Sequence, residues 1–303
     1  MPETLDRFVD YLKAERNASP YTVRNYTADL LGFFRFLTEH NIGSLAEVDK
    51  GTLRDYLRVL TEQRFARSSI ARKLSAVRSF YRYLQREEIV AANPLATLSS
   101  PKLDRRLPAF LARDEVARIV EAPDTTTPNG LRDRAFLELL YASGMRVSEL
   151  VGLDVDSVNL DTREVRVWGK GARERVVLIG EPAHRALTAY LEQGRPQLLT
   201  RRSTTAVFLN HHGGRLTARS VQSFVSSYAA ATGMTRKVHP HIVRHTFATH
   251  MLDGGADLPV VQELLGHASL SSTQIYTHVS MAQAKKVYLA AHPLAGERSN
   301  GDQ

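Results

Sequence analysis

The chain has 303 residues, 43% of them apolar and 24% charged, the composition of a globular protein with enough material for two ordinary cores. It has no cysteine, which excludes disulfides, thiolate catalysis and cysteine-bound zinc, and no apolar run approaches the ~18 residues that a membrane span needs. A formal charge of +8 favours a polyanionic partner. The first residues, Met1-Pro2-Glu3-Thr4-Leu5-Asp6, are acidic and polar rather than a secretory leader, so a cytoplasmic protein that does not engage a membrane is expected.

Residues 1–98 read as an all-α domain of four amphipathic helices. Leu5, Phe8, Val9 and Leu12 have helical spacing. Ser19-Pro20 is a cap and first-turn pair for a helix carrying Val23, Tyr26, Leu30, Phe34 and Leu37. Thr52 is placed to cap a third helix with Leu53, Tyr56, Leu57 and Leu60. Ser68 or Ser69 is placed to open a fourth with Ile70, Leu74, Val77, Tyr81 and Leu84. Tyr21, Phe33 and Tyr83 fit packing better than recognition. From Arg54 to Arg86 nine Lys/Arg stand against two acids, a net +7 within the last two helices. Such a run is either a solvated face or a phosphate-binding surface.

Residues 99–108 break the periodicity with a proline near each end, Pro101 and Pro108, and with Lys102, Arg105 and Arg106, as an interdomain linker does. Residues 109–303 then form a second domain. It is helical from Phe110 through Tyr141, and the runs Glu164–Trp168 and Arg175–Ile179 predict a β-hairpin with Lys170 near its tip. The remainder is helical around an irregular basic stretch near Gln197–Thr205. The expected class is mainly α with a small β-sheet.

Five segments of this second domain carry chemistry: Gly144–Leu150 with Arg146 and Glu149, Gly169-Lys170-Gly171, His241–His245 with Arg244, Leu265-Gly266-His267, and Thr273–His278 with Tyr276. Two guanidiniums, a lysine, two imidazoles and a phenol suffice to break a phosphodiester without a metal. The cations neutralise charge growing on non-bridging oxygens, the phenol attacks phosphorus, and lysine or histidine moves protons. Each residue alone also has an ordinary reading. Arg146 and Glu149 are an i,i+3 pair, Lys170 a solvated turn lysine, His267 a cap and Tyr276 a packing residue. His241 and His245 have i,i+4 metal-ligand spacing, but no glutamate follows His241 and Arg244 between them repels a cation, so neither metal nor cofactor is expected. His211, His212, His250 and His278 are given no catalytic role.

Taken in order, with Tyr276 nine residues after His267, the five segments resemble the tyrosine recombinase (phage integrase) family, and within it the Xer-type recombinases. The resemblance covers nearly the whole chain. It implies Arg146, Lys170, His241, Arg244, His267 and the nucleophile Tyr276 as catalytic residues, with Glu149 positioning Arg146. It implies a 3′-phosphotyrosyl intermediate, needing neither ATP nor metal, and strand exchange through a Holliday junction. The implied partners are double-stranded DNA at a specific site, a homo- or heterotetramer with a related recombinase, and an FtsK-type translocase. The implied task is resolution of chromosome dimers at cell division. With that family named, the Arg54–Arg86 run reads as a DNA-binding surface. The apolar Val287, Tyr288 and Leu289 read as a tail helix docking on a neighbouring protomer, since they would otherwise be an exposed patch.

Overall fold

In the computed structural model, which describes residues 2–16, 18–96, 110–169, 174–200, 204–266 and 281–294, the chain divides into two units, Met1–Arg105 and Arg106–Gln303. Four helices build the first: α1 (Pro2–Ala14), α2 (Pro20–Glu39), α3 (Lys50–Glu62) and α4 (Arg67–Arg86). Their apolar stripes meet in one core that includes Phe8, Leu30, Phe33, Leu37, Leu53, Leu74, Val77 and Leu84. Ser19 caps α2 as its sequence suggests, its hydroxyl accepting from the Thr22 N–H at 3.2 Å.

Two caps differ from the sequence reading. Asp49 caps α3, accepting from the Thr52 N–H at 2.8 Å and from the Thr52 hydroxyl at 2.9 Å, so the helix starts one turn earlier than a Thr52 cap would set it. Helix α4 starts behind Ala66 with no side-chain cap, so neither Ser68 nor Ser69 opens it. Phe33 and Tyr83 are core residues, whereas Tyr21 is 66% exposed beneath the Arg24 guanidinium.

The basic run is less uniform than its sum. The buried Asp29 pairs with Arg72 and, at 3.3 Å, with Lys73. Arg86 pairs with Glu15 at 2.6 Å and Glu87 at 2.8 Å, and Arg58 with Asp55 at 3.1 Å. At least four of the nine cations, Arg58, Arg72, Lys73 and Arg86, are therefore matched locally. Arg54, Arg64 and Arg82 are exposed.

The second unit is organised around one buried helix. After α5 (Arg113–Glu121), Thr127 caps α6 (Pro128–Ser143), whose Phe136, Leu137, Leu139, Leu140 and Tyr141 are all buried. A short α7 (Val147–Gly152) leads to an antiparallel sheet, β1 (Val158–Asn159), β2 (Glu164–Trp168) and β3 (Glu174–Leu178), in that order. The expected hairpin is present with Val165 opposite Val177 and Val167 opposite Arg175. Residues 170–173, Lys170 among them, lie outside the described residues. Strand β1 has two residues, too few to show alternation, and was not legible.

Helix α8 (Glu181–Ala189) continues through a π turn at Tyr190–Gly194 into α9 (Arg195–Leu198). Then follow α10 (Ala218–Ala231), α11 (Pro240–Asp253), α12 (Leu258–Leu265) and α13 (Met281–Ala291).

Helix α13, expected to dock on a neighbour, packs part of its apolar face within this chain. Its Tyr288 and Ala291 are buried in this chain's own second unit, in a cluster with Phe247, Met251, Val261 and Leu265. The fit is close: a Cβ on Gly254 would lie 2.1 Å from the Ala291 carbonyl oxygen. The apolar residues that called for a partner find one on α11 and α12, and Leu289 stays 53% exposed.

Behind Tyr288, His292 is buried with its Nδ1 accepting from the Leu294 N–H at 3.1 Å and its Nε2 3.3 Å from the Tyr141 carbonyl. A neutral ring satisfies both, and burial pushes its pKa down to about 3. The unfolded chain takes up this proton near pH 6.5 and the folded chain does not. Stability is therefore complete above that pH and falls as the solution is acidified. The loss should be about 2 kcal/mol between pH 7 and pH 5. His250, also lowered by burial, adds to it in the same direction. Melting curves of His292→Gln should show a flatter pH dependence in this window; an unchanged slope would contradict this.

Candidate active site

The turn after α6 sets the site. Gly144 has φ +57, and a Cβ there would stand 2.4 Å from Phe247, so only glycine fits. Met145 is buried, and Arg146 lands at the N-cap of α7. Glu149, one turn on, accepts from the Arg146 N–H at 2.7 Å through Oε2 and from Arg146 Nη1 at 2.9 Å through Oε1. Arg175 of β3 reaches the same carboxylate with Nη1 at 2.8 Å and Nη2 at 2.9 Å. Burial alone would raise the Glu149 pKa, but the hydrogen bonds from Arg175 and from the Arg146 N–H outweigh it and hold the carboxyl down to about 2.

A second anchor is the end of α12. Gly266 with φ +65 stops that helix, leaving its last carbonyls for other donors. Three consecutive carbonyls each accept from a different arginine: Leu264 from Arg175 Nε at 3.3 Å, Leu265 from Arg244 Nη2 at 2.8 Å, and Gly266 from Arg146 Nη2 at 3.1 Å. Arg244 also donates to the Gly144 carbonyl at 2.7 Å. The negative end of a helix and one carboxylate thus hold three like charges together. Burial and the neighbouring Arg146 lower the Arg244 pKa to about 10, which still leaves it charged at neutral pH.

The structure therefore brings Arg146, Glu149 and Arg244 into one cluster. His241 lies one turn before Arg244 on α11, exposed, behind Pro240 at the start of the helix. Lys170, His267 and Tyr276 lie outside the described residues. The sequence reading missed Arg175. A signal for it existed: it follows the inward alternation of Val177, and a cation on a buried strand face needs a buried partner. His250, given no catalytic role, is buried 2.8 Å from the Tyr141 hydroxyl.

Two family models match the chain: the phage integrase, N-terminal SAM-like domain over residues 5–88, and the phage integrase family over residues 109–283. The chain belongs to the phage integrase family, among the Xer-type tyrosine recombinases, enzymes of site-specific DNA recombination. It is 48% identical over 300 residues to the tyrosine recombinase XerC of Pelotomaculum thermopropionicum, an alignment covering 96% of this chain and 98% of that protein. It is 41% identical over 295 residues to the tyrosine recombinase XerD of Staphylococcus aureus, covering 97% and 100%. In fold it is similar to the XerH site-specific recombinase bound to a palindromic difH substrate in a post-cleavage complex. The TM-score there is 0.70 at 23% identity, covering 92% of this chain and 79% of that one. No helix of the described residues is long and apolar enough to cross a membrane.

Proposed function

We propose that this chain cleaves and rejoins duplex DNA at a specific site through a 3′-phosphotyrosyl bond to Tyr276, with a Holliday junction between two rounds of strand exchange. The observation that carries the reading is the arrangement of Arg146 and Arg244. Both are locked by backbone carbonyls; Arg146 and Arg175 share the one carboxylate, Glu149, and Arg244 adds a further charge, which leaves a net positive site for a phosphodiester.

In this reading the two arginines ligate the non-bridging oxygens, and His241 and His267 donate hydrogen bonds to the same phosphate. The Tyr276 phenol passes its proton to His241 as its oxygen attacks phosphorus and becomes an ester of the 3′-phosphate. The 5′-oxygen leaves as a hydroxyl with a proton from Lys170, and reversal of these steps rejoins the strand. No metal or nucleotide enters the balance, because the phosphotyrosyl ester keeps the bond for rejoining.

Residues 1–98 would close on the duplex as a core-binding domain, joined by the 99–108 linker to the catalytic domain, 109–303. The exposed Arg54, Arg64 and Arg82 are its natural phosphate contacts. Four protomers, of this chain alone or with a related second recombinase, would act in the cytoplasm on chromosome dimers under an FtsK-type translocase.

Purified protein, with the second recombinase if the genome encodes one, should convert DNA carrying two replication-terminus sites into a four-way junction or a covalent complex. Binding with neither would mean a DNA-binding regulator on the same fold.

A further inference from the structure

We propose that Arg175 is a positioning residue of the cleavage reaction: its charge offsets that of Glu149, so that Arg146 keeps its own for the scissile phosphate. The inference rests on the reading of Arg146 as a phosphate ligand.

Arg175 itself is engaged within the protein. Its Nε is committed to the Leu264 carbonyl and both Nη atoms to Glu149, and its side chain is 17% exposed. Arg146, at 34%, gives one hydrogen from Nη1 to Glu149 and one from Nη2 to Gly266, which among the described residues leaves Nε and the other Nη hydrogens for a ligand. Glu149 is needed to aim Arg146, because it fixes both the N-cap backbone and the guanidinium. A carboxylate 2% exposed, with Arg146 as its sole cation, would form a neutral pair and cancel the charge it positions.

The fork of Arg175 removes that conflict. It occupies one further site on each carboxylate oxygen and brings the trio of Arg146, Arg175 and Glu149 to +1. It also ties β3 to the end of α12, so the strand that follows Lys170 in sequence and the segment preceding His267 share one anchor.

The test measures single-turnover cleavage of a nicked half-site duplex, half-site affinity and melting temperature. Arg175→Gln keeps a hydrogen-bond donor but not the charge. It should slow cleavage about tenfold or more, the scale of groups that orient a reacting residue, with affinity nearly unchanged. Arg175→Gln combined with Glu149→Gln should cleave faster than Arg175→Gln alone, because the anion that needed offsetting is gone. A packing role predicts the reverse, since the double variant has lost more contacts.

Wild-type cleavage by Arg175→Gln, or no gain in the double variant, would overturn the proposal. If Arg175→Gln melts below the assay temperature, Arg175→Lys decides: cleavage within a few-fold of wild type supports charge offset, and a large loss overturns it. Arg146→Ala serves as the control. If it cleaves normally, the phosphate-ligand reading of Arg146 has failed instead.

Discussion

Tyr276→Phe should abolish the covalent protein–DNA adduct while leaving DNA binding in place. The substitution removes one oxygen, and in the proposed chemistry that oxygen is the only atom that bonds to phosphorus. Nothing else in the constellation can replace it. In this reading the histidines hold the phosphate and the lysine supplies a proton, and the chain has no cysteine. The ring is retained, so packing around residue 276 changes little. Gel-shift titration should give wild-type half-site affinity, and denaturing electrophoresis should show no adduct. An adduct formed by the phenylalanine variant would assign the attack to another residue.

Arg146→Ala and Arg244→Ala should each lower the cleavage rate by about 10²–10³, equivalent to ~3–4 kcal/mol of transition-state stabilisation, with far smaller losses in binding. The asymmetry follows from where charge develops. Ground-state DNA carries one charge per phosphate and meets many cations, whereas in the proposed chemistry the pentacoordinate phosphorus gains charge at the oxygens that these two guanidiniums would hold.

The variants should differ in stability. Removing Arg244 strands the Gly144 and Leu265 carbonyls beneath the site, whereas removing Arg146 leaves Glu149 still paired with Arg175. Arg244→Ala should therefore melt lower than Arg146→Ala. Equal losses in binding and cleavage would reduce both residues to ordinary phosphate contacts.

Much of this was legible because the local signals are short-range. Ser19-Pro20 and Pro240 mark helix starts, and Gly266 marks a helix end. The Arg146–Glu149 spacing fits a helix first turn, and the alternation in Glu164–Trp168 gives a strand. Each is written within a few residues, which is the reach of capping and periodicity.

What escaped depends on distant partners. Asp29 looks like a surface acid until Arg72 and Lys73 close on it, and Arg175 looks like an ordinary strand residue until Glu149, 26 positions earlier, is placed beside it. Asp49 took the cap assigned to Thr52 because both offer an oxygen to the same turn, and sequence does not rank them. Helix α13 was legible only in part for a related reason: an apolar stripe announces that something covers it but not which molecule does. Here α11 and α12 of the same chain cover Tyr288.

The most direct test is to map the covalent bond. A duplex half-site nicked close to the cleavage point loses the short strand that would reverse the reaction, so the adduct accumulates. Proteolysis and mass spectrometry of the trapped complex should place a 3′-phosphonucleotide on the peptide containing Tyr276, with a free 5′-hydroxyl on the released fragment. Attachment at any of the other tyrosines, a 5′-phosphate linkage, or DNA binding with no covalent product would contradict it.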